Sequence, residues 1–286
     1  MEKNYRAQLV GVFGDPVDGN PTGVMEEAAF AACGLNYRYL TLKVTKEDFP
    51  DAMKALRAFH MRGINLTMPH KITVLPYLDT LSEAARIIGA VNTVVVQEDG
   101  SLFGENTDGK GFVQALLDQK MTLKGKNVTI LGAGGAARAI AVECALAGAS
   151  SVLIVNRTEE RAIELADVIQ KNTSAKALWQ KWEGSLRIPS NTDLLVNATS
   201  IGLHPDSDSL PPVDYDTIHA GMTVSDVVFN PADTLFLQKA AKRGAKTVNG
   251  LGMLARQGAL NFTLWTGLPA PIPVMEETLR REFSLS

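Results

Sequence analysis

The chain has 286 residues, which at roughly 150 residues per domain predicts about two domains. Hydrophobic residues make up 45% and charged residues 21%, which excludes disorder, collagen and coiled coil and supplies a core that needs no disulfide or metal. The net charge of −3 argues against a general nucleic-acid or anionic-membrane binder, and no apolar run approaches the roughly 20 residues of a membrane span.

Met1 to Arg6 carries no secretory apolar core, so a cytoplasmic protein is expected. Leu9 to Phe13 reads as a buried strand ending at Gly14-Asp15-Pro16. Val24 to Cys33 reads as a helix closed by Gly34. Tyr37 to Val44 alternates as a strand, and Thr45 is the expected cap of a helix, with Asp48 completing a capping box. Gly63 to Leu66 is a third strand, broken by Pro69. Thr93 to Val96 and Ser101 to Phe103 flank Asp99-Gly100, a hairpin signal.

The second half is more regular. Val128 to Leu131 is a buried strand, followed by glycines and an alanine-rich helix. Val152 to Val155 is a strand and Glu159 to Gln170 a helix. Leu194 to Val196 and Val224 to Phe229 are further strands, and Thr234 to Arg243 is a helix ended by Gly244. The Pro-rich stretch from Leu268 to Pro273 connects to a last amphipathic helix. This alternation predicts an α/β fold with a parallel sheet covered on both faces. Cys33 and Cys144 lie among alanines and are expected as buried free thiols. His60, His70, His204 and His219 show no ligand-like spacing, so no metal site is expected. His70 reads as a loop residue at a cleft rim, and Trp265 as core.

Gly132-Ala133-Gly134-Gly135-Ala136-Ala137 stands between a strand and a helix. That is the dinucleotide-binding fingerprint, with Ala at its third glycine position. Gly132 permits the tight turn, Gly134 lets backbone approach a pyrophosphate, and Ala137 lets the helix lie close to the sheet. Free N–H groups at the helix start then face the anion. The next strand ends in Asn156-Arg157-Thr158, with Arg161 one turn on, where an NAD site would place a carboxylate. Two guanidiniums suit a 2′-phosphate, with Asn156 and Thr158 as further hydrogen-bonding groups. NADP is therefore expected, with NAD as the alternative. Glu159 and Glu160 would repel the phosphate if the loop turned them toward it.

The first half carries polar residues that a core would not want. Thr67 follows a strand, Lys71 opens a short helix, Asn92 enters a strand, and Asp108 lies in Asn106-Thr107-Asp108-Gly109 just before a helix. Singly they read as a turn residue, a surface charge or an N-cap. Together, beside a dinucleotide site, they suggest a polar cleft.

Asn65 to Lys71, Gly89 to Thr93, Asn106 to Gly109, the glycine loop and Asn156 to Thr158 resemble the shikimate dehydrogenase family. The resemblance continues through Asn197 to Ser200, Asp226 to Pro231, Gly250 to Leu254, Gln257, Phe262 and Trp265 to Gly267, and so covers nearly the whole chain. It implies NADP-dependent interconversion of 3-dehydroshikimate and shikimate, with a related branch that acts on quinate and uses NAD. The expected architecture is an N-terminal α/β substrate domain, residues 1–107 with a return over 250–286, and a Rossmann doubly wound domain over 108–249. The site is expected in a cleft that opens and closes. By resemblance, Lys71 and Asp108 are the acid–base pair that manages the proton as hydride moves. Thr67, Asn92 and Gln257 would bind ring hydroxyls, Gly250 and Met253 would lie near the nicotinamide, and Thr199 would line the cofactor site. The expected partner is a small-molecule substrate, and the expected assembly a monomer or homodimer.

The chain departs from the family in one loop. Family members carry Ser-x-Ser-Pro after the first strand, followed by His-Asn, and the two serines hold the substrate carboxylate. An ungapped match puts Asn20 and Thr22 at those serines, Gly23 at the proline and Glu26-Glu27 at His-Asn. Pro21 lacks an N–H and stiffens the loop, while Asp18, Glu26 and Glu27 add negative charge. Phe229 stands where the family has tyrosine. Asn20 and Thr22 remain candidate substrate-binding residues, with altered geometry. Three readings follow: the shikimate reaction or that of a close cyclic hydroxy acid; a dehydrogenase of quinate, an aminated analogue or an uncharged ring alcohol; and a non-catalytic cofactor-responsive regulator. Retention of both Lys71 and Asp108 speaks against the last.

Overall fold

The computed structural model describes residues 5–283. The chain divides into two compact units, one formed by residues up to Thr107 together with those from Gln257 on, the other by Asp108–Arg256. The return therefore starts at Gln257, not at residue 250. Gly250 belongs to the second unit because its backbone lies against that unit's own chain: a Cβ there would sit 2.5 Å from the Val227 carbonyl oxygen.

The first unit opens with β1 (Gln8–Gly14), α1 (Thr22–Ala32), β2 (Tyr37–Lys43), α2 (Phe49–Ala58) and β3 (Gly63–Leu66). It continues with α3 (His70–Thr73), β4 (Thr80–Leu81), α4 (Glu83–Ile88), β5 (Thr93–Val96) and β6 (Leu102–Glu105). Its sheet runs β2-β1-β3-β5-β6-β4. β1 pairs in parallel with both β2 and β3, whereas β5 is antiparallel to β3 and β6. The sheet is thus mixed, because the tight Asp99-Gly100 turn, with Gly100 at φ 82°, joins β5 and β6 as a hairpin. One face buries Phe13, Phe49, Leu56, Ile64 and Val94. Elsewhere in this unit Phe30 stacks on Phe262, and Trp265 donates its indole N–H to the Val94 carbonyl at 3.2 Å.

Several local expectations change. α2 begins at Phe49, not Thr45, whose hydroxyl instead accepts the Asp48 N–H in a turn ahead of the helix. Cys33 lies past the last turn of α1 and is exposed, whereas Cys144 is buried; both are free. His70 is not a rim residue. It is fully buried, stacked on Phe49 with ring centroids 4.3 Å apart, and its Nε2 lies 2.7 Å from the Val44 carbonyl oxygen.

α5 (Thr107–Asp118) leads into the second unit. There follow β7 (Asn127–Leu131), α6 (Gly135–Leu146), β8 (Ser151–Asn156), α7 (Glu159–Asn172), β9 (Lys176–Lys181), β10 (Leu186–Arg187) and β11 (Leu194–Asn197). Next come β12 (Val213–Asp214), β13 (Thr223–Asp226), α8 (Leu235–Lys242), β14 (Lys246–Val248), α9 (Gly250–Thr266) and finally α10 (Ile272–Glu282) in the first unit. The six-stranded sheet β14-β13-β11-β7-β8-β9 is parallel throughout, with β10 and β12 as a separate pair. This order reverses direction between β7 and β11, the doubly wound arrangement of a Rossmann fold. β13 stops at Asp226 rather than running to Phe229. The Asp226 carboxylate accepts the Val228 N–H at 3.0 Å and so turns the chain out of the sheet.

Candidate active site

In an open α/β sheet, ligands bind beyond the carboxyl ends of strands, where the strand order reverses. The first unit has such a point between β1 and β3. The Asp15 N–H donates to the Met68 carbonyl at 2.9 Å, so the loops leaving the two strands are tied together. Gly14 is required there, since a Cβ would meet the Thr67 methyl at 2.2 Å.

A buried chain of amides and hydroxyls starts at this point. The Tyr39 phenol donates to Asn65 Oδ1 at 2.9 Å. Asn65 Nδ2 donates to the Thr93 hydroxyl at 3.0 Å and to the Asn92 carbonyl at 3.2 Å. The Thr93 and Thr107 hydroxyls both donate to Asn261 Oδ1, at 2.7 and 2.8 Å. Asn92 accepts the Thr107 N–H at 2.7 Å and donates to its hydroxyl at 2.9 Å. Asn261 Nδ2 donates to Gln257 Oε1 at 3.1 Å. Most donors in this chain have an acceptor, as burial demands. The directions leave the Gln257 Nε2 donors without a protein partner among the described residues. The half-buried Thr67 hydroxyl is likewise without one.

Thr67, Asn92 and Gln257 thus lie in one unit. Tyr39, Thr107 and Asn261 belong with them but were not among the expected site residues. Asn261 follows Gln257 by four residues on α9, so the helical period places both on one face. Lys71 sits in α3, where its carbonyl accepts the Val91 N–H at 2.8 Å. Asp108 lies in the first turn of α5, not at its cap. The Asn92 amide holds the N–H of Thr107, and this fixes the turn that carries Asp108.

The altered loop resolves into distinct roles. Asn20 Oδ1 accepts the Thr22 N–H at 3.0 Å, which leaves its Nδ2 uncommitted among the described residues. The Thr22 hydroxyl bonds the Tyr39 side chain. Asp18 is exposed. Glu27 accepts the Tyr39 N–H and closes the start of β2. Glu26 is fully buried, and neither of its carboxyl oxygens has a hydrogen-bond partner. Burial raises its pKa well above the ordinary value. The Tyr39 phenol is pushed up as well, first by burial and then by Glu26.

The second unit holds the glycine loop at its own reversal point, after β7. Gly132 adopts φ 114° and donates its N–H to the Val155 carbonyl at 2.8 Å. Ala137 is fully buried, where the helix packs on the sheet. Gly134 precedes α6 in extended geometry with no side-chain cap. A Cβ on Gly134 or Gly135 would meet nothing within 4 Å. Backbone N–H groups of the loop therefore border open space, which fits a dinucleotide pyrophosphate. Ala133 and Ala136, on either side of Gly134 and Gly135, are half-buried. At the end of β8, Asn156 Nδ2 donates to the Thr158 carbonyl at 2.8 Å, while Arg157, Thr158 and Arg161 are exposed. Glu159 and Glu160 open α7, and their charge acts on Lys181.

After β11, the Thr199 hydroxyl donates to Asn197 Oδ1 at 2.7 Å, and Asn197 Nδ2 donates to Asp226 at 3.0 Å. Asp226 also accepts the Thr234 hydroxyl at 2.8 Å. Burial pushes its pKa up to about 6 despite these donors. Gly250 and Met253 lie in the first turns of α9. Among the described residues, no helix is long and apolar enough to cross a membrane.

Three family models match the chain. Residues 12–94 match the shikimate dehydrogenase substrate binding domain, 115–202 the shikimate / quinate 5-dehydrogenase model, and 250–280 the shikimate 5'-dehydrogenase C-terminal domain. A shikimate dehydrogenase (NADP(+)) of Desulforamulus reducens is 42% identical, over 98% of this chain and 97% of its own. Among solved structures, the ligand-free 5-ketofructose reductase of a Gluconobacter strain is 44% identical with TM-score 0.94, covering 98% of this chain and 100% of its own. A shikimate dehydrogenase in complex with NADP+ is 37% identical with TM-score 0.92, covering 98% and 97%.

Proposed function

The chain belongs to the shikimate dehydrogenase family, and from that premise we propose that it is an NADP-dependent oxidoreductase acting on a CH–OH group. It interconverts 3-dehydroshikimate and shikimate, or the ketone and alcohol of a close cyclic hydroxy acid. The observation that carries this reading is the preassembled buried network that ends in the uncommitted donors of Gln257, with the Thr67 hydroxyl of the same unit also uncommitted. A ligand rich in hydroxyls completes it.

NADPH, when bound, would supply the hydride. Gly132, Gly134 and Gly135 would admit its pyrophosphate, and Arg157 and Arg161 its 2′-phosphate. Lys71 donates a proton to the carbonyl oxygen as charge grows there, and Asp108 keeps that ammonium charged and oriented. In the reverse direction the pair removes the hydroxyl proton. Thr67, Asn92 and Gln257 hold the substrate hydroxyls. We take the enzyme to be cytoplasmic, a reading supported by two free thiols, and to act as a monomer or homodimer.

A second reading concerns the far end of the substrate. Asn20 and Thr22 replace the family serines, and a 44% identical relative is a 5-ketofructose reductase. Both favour an uncharged polyhydroxy ketone as a further substrate. The test is an initial-rate assay at 340 nm with NADP and NAD, each with shikimate, quinate and, in the reductive direction, 5-ketofructose. Turnover of any of them with NADP supports the oxidoreductase. Loss of all turnover while NADP still binds by calorimetry would overturn it.

A further inference from the structure

We propose that Asn261 is a positioning residue that turns the Gln257 side-chain amide with its nitrogen outward, so that Gln257 meets its ligand with donors only. The proposal rests on the dehydrogenase reading above for what Gln257 holds, and on the hydrogen bonds of the first unit for how Gln257 is turned. Asn261 lies in α9, one turn after Gln257, and is fully buried.

Two main-chain groups set the direction of the chain that reaches it, because a carbonyl only accepts and an N–H only donates. The Asn92 carbonyl faces one end of the Asn65 amide at 3.2 Å, so that end is the nitrogen. The same nitrogen donates to the Thr93 hydroxyl at 3.0 Å. The Thr107 N–H faces one end of the Asn92 amide at 2.7 Å, so that end is the oxygen. Its nitrogen then donates to the Thr107 hydroxyl at 2.9 Å. Each hydroxyl has one proton to pass on. The nearer acceptor for both is Asn261 Oδ1, at 2.7 Å from Thr93 and 2.8 Å from Thr107, against 3.1 and 3.2 Å to Asn92 Oδ1. Asn261 therefore turns its nitrogen to Gln257, whose Oε1 accepts it at 3.1 Å. That leaves Gln257 Nε2 on the far side of the amide, with both of its N–H groups unspent. Gln257 keeps 8% of its surface exposed, and its Nε2 is not among the sealed side-chain atoms of the described residues, so those N–H groups are open to a ligand. The ligand atom they meet must accept, as a hydroxyl or carboxylate oxygen does and an ammonium cannot. The reversed amide would present Oε1 and ask for a donor.

The experiment uses the full chain. Asn261→Leu removes the group that turns Gln257, while the Thr93 and Thr107 hydroxyls keep Asn92 Oδ1 within 3.2 Å. The ligand is whichever of shikimate, quinate and 5-ketofructose wild type turns over. Its affinity by calorimetry with NADP present, and its KM at 340 nm, should weaken about tenfold in Asn261→Leu, with kcat and NADP affinity within about threefold of wild type. In a Gln257→Ala background the same substitution should cost less than about twofold, since the group it acts through is gone. A merely structural role would add the same factor in both backgrounds. A second measurement needs no ligand. Side-chain amide exchange is followed by NMR at pH 8 on protein labelled with ¹⁵N-glutamine, and the Gln257 signal is assigned by its loss in Gln257→Ala. In Asn261→Asp the carboxylate has no donor for Oε1, so the Gln257 amide reverses and gives it an N–H. Exchange of one Gln257 amide proton should then slow about tenfold or more relative to wild type. Equal factors in the two backgrounds, an Asn261→Leu that binds ligand like wild type, or an unchanged exchange rate in a folded Asn261→Asp overturns the proposal. If wild type turns over none of the three ligands, the dehydrogenase reading falls, and the exchange measurement alone decides the role of Asn261.

Discussion

Both units bury carboxyls, and Glu26 in the first and Asp226 in the second are treated differently. Asp226 in the second unit accepts hydrogen bonds from Asn197, Thr234 and the Val228 N–H. Glu26 in the first unit accepts none. Both carboxyls are raised by burial, but only one is built into its surroundings. The first arrangement closes on itself and shapes a loop. The second leaves both oxygens without a partner among the described residues. A buried carboxyl with partners keeps its hydrogen bonds on folding, and one without loses them.

The sharpest break of this comparison is at Lys71. The proton-donor role proposed for Lys71 acts on the substrate, not on the fold. Lys71→Ala should therefore lower kcat by about 10²- to 10⁴-fold, the range of general acid catalysis. NADP binding, followed by calorimetry, should change less than threefold. A loss of cofactor affinity as large as the loss of rate would move Lys71 from the chemistry to the cofactor site.

Asp226 tests the closed half. Its pKa rises from 3.8 in the unfolded chain to about 6 in the folded one, so the folded state holds the proton more tightly. The stability this group contributes is full below pH 3.8 and is lost as pH rises through 6. At about 1.4 kcal/mol per unit, the loss is about 3 kcal/mol. Asp226→Asn keeps an acceptor for Asn197 and Val228 and offers a donor to Thr234. Urea titrations should show its stability gaining on wild type by up to about 3 kcal/mol between pH 4 and pH 7. A difference that stays flat with pH would mean that water or a counter-charge already neutralises Asp226.

The two halves also differ in how much the sequence discloses. Gly132 to Ala137 does its work through local backbone geometry, so strand, loop and helix are readable from residues in a row. The Asn156 to Thr158 segment is readable for the same reason. The first-unit network joins residues as far apart as Tyr39, Asn65, Thr93 and Asn261, and no local signal links them. Tyr39 reads as an alternating strand residue, and Asn261 as a polar break in an apolar helix, until the fold brings both to one place. His70 shows the same limit, since the Phe49 ring and the Val44 carbonyl that bury it come from earlier elements. The extra length expected of β13 fails on a side chain, because Asp226 captures the Val228 N–H. Glu26 is visible in the sequence, but that it is buried and not solvated is decided only by packing.

The smallest expected effect lies at Arg157, where both the cofactor choice and the open character of the second unit's rim can be sharpened. Its side chain is exposed, so water and salt screen any phosphate it meets. Arg157→Ala should weaken NADP about tenfold, toward the lower end for charge-assisted hydrogen bonds. NAD lacks the 2′-phosphate, so its affinity should hold within about twofold. Calorimetry with both cofactors, at low and high salt, separates the cases. Equal weakening of NADP and NAD would place Arg157 on the common part of the dinucleotide. An unchanged NADP affinity would shift the 2′-phosphate to Arg161, which lies one turn along on α7 and is also exposed. Salt screens the attraction between an exposed guanidinium and a phosphate, so the loss at Arg157 should shrink at high salt and not reverse.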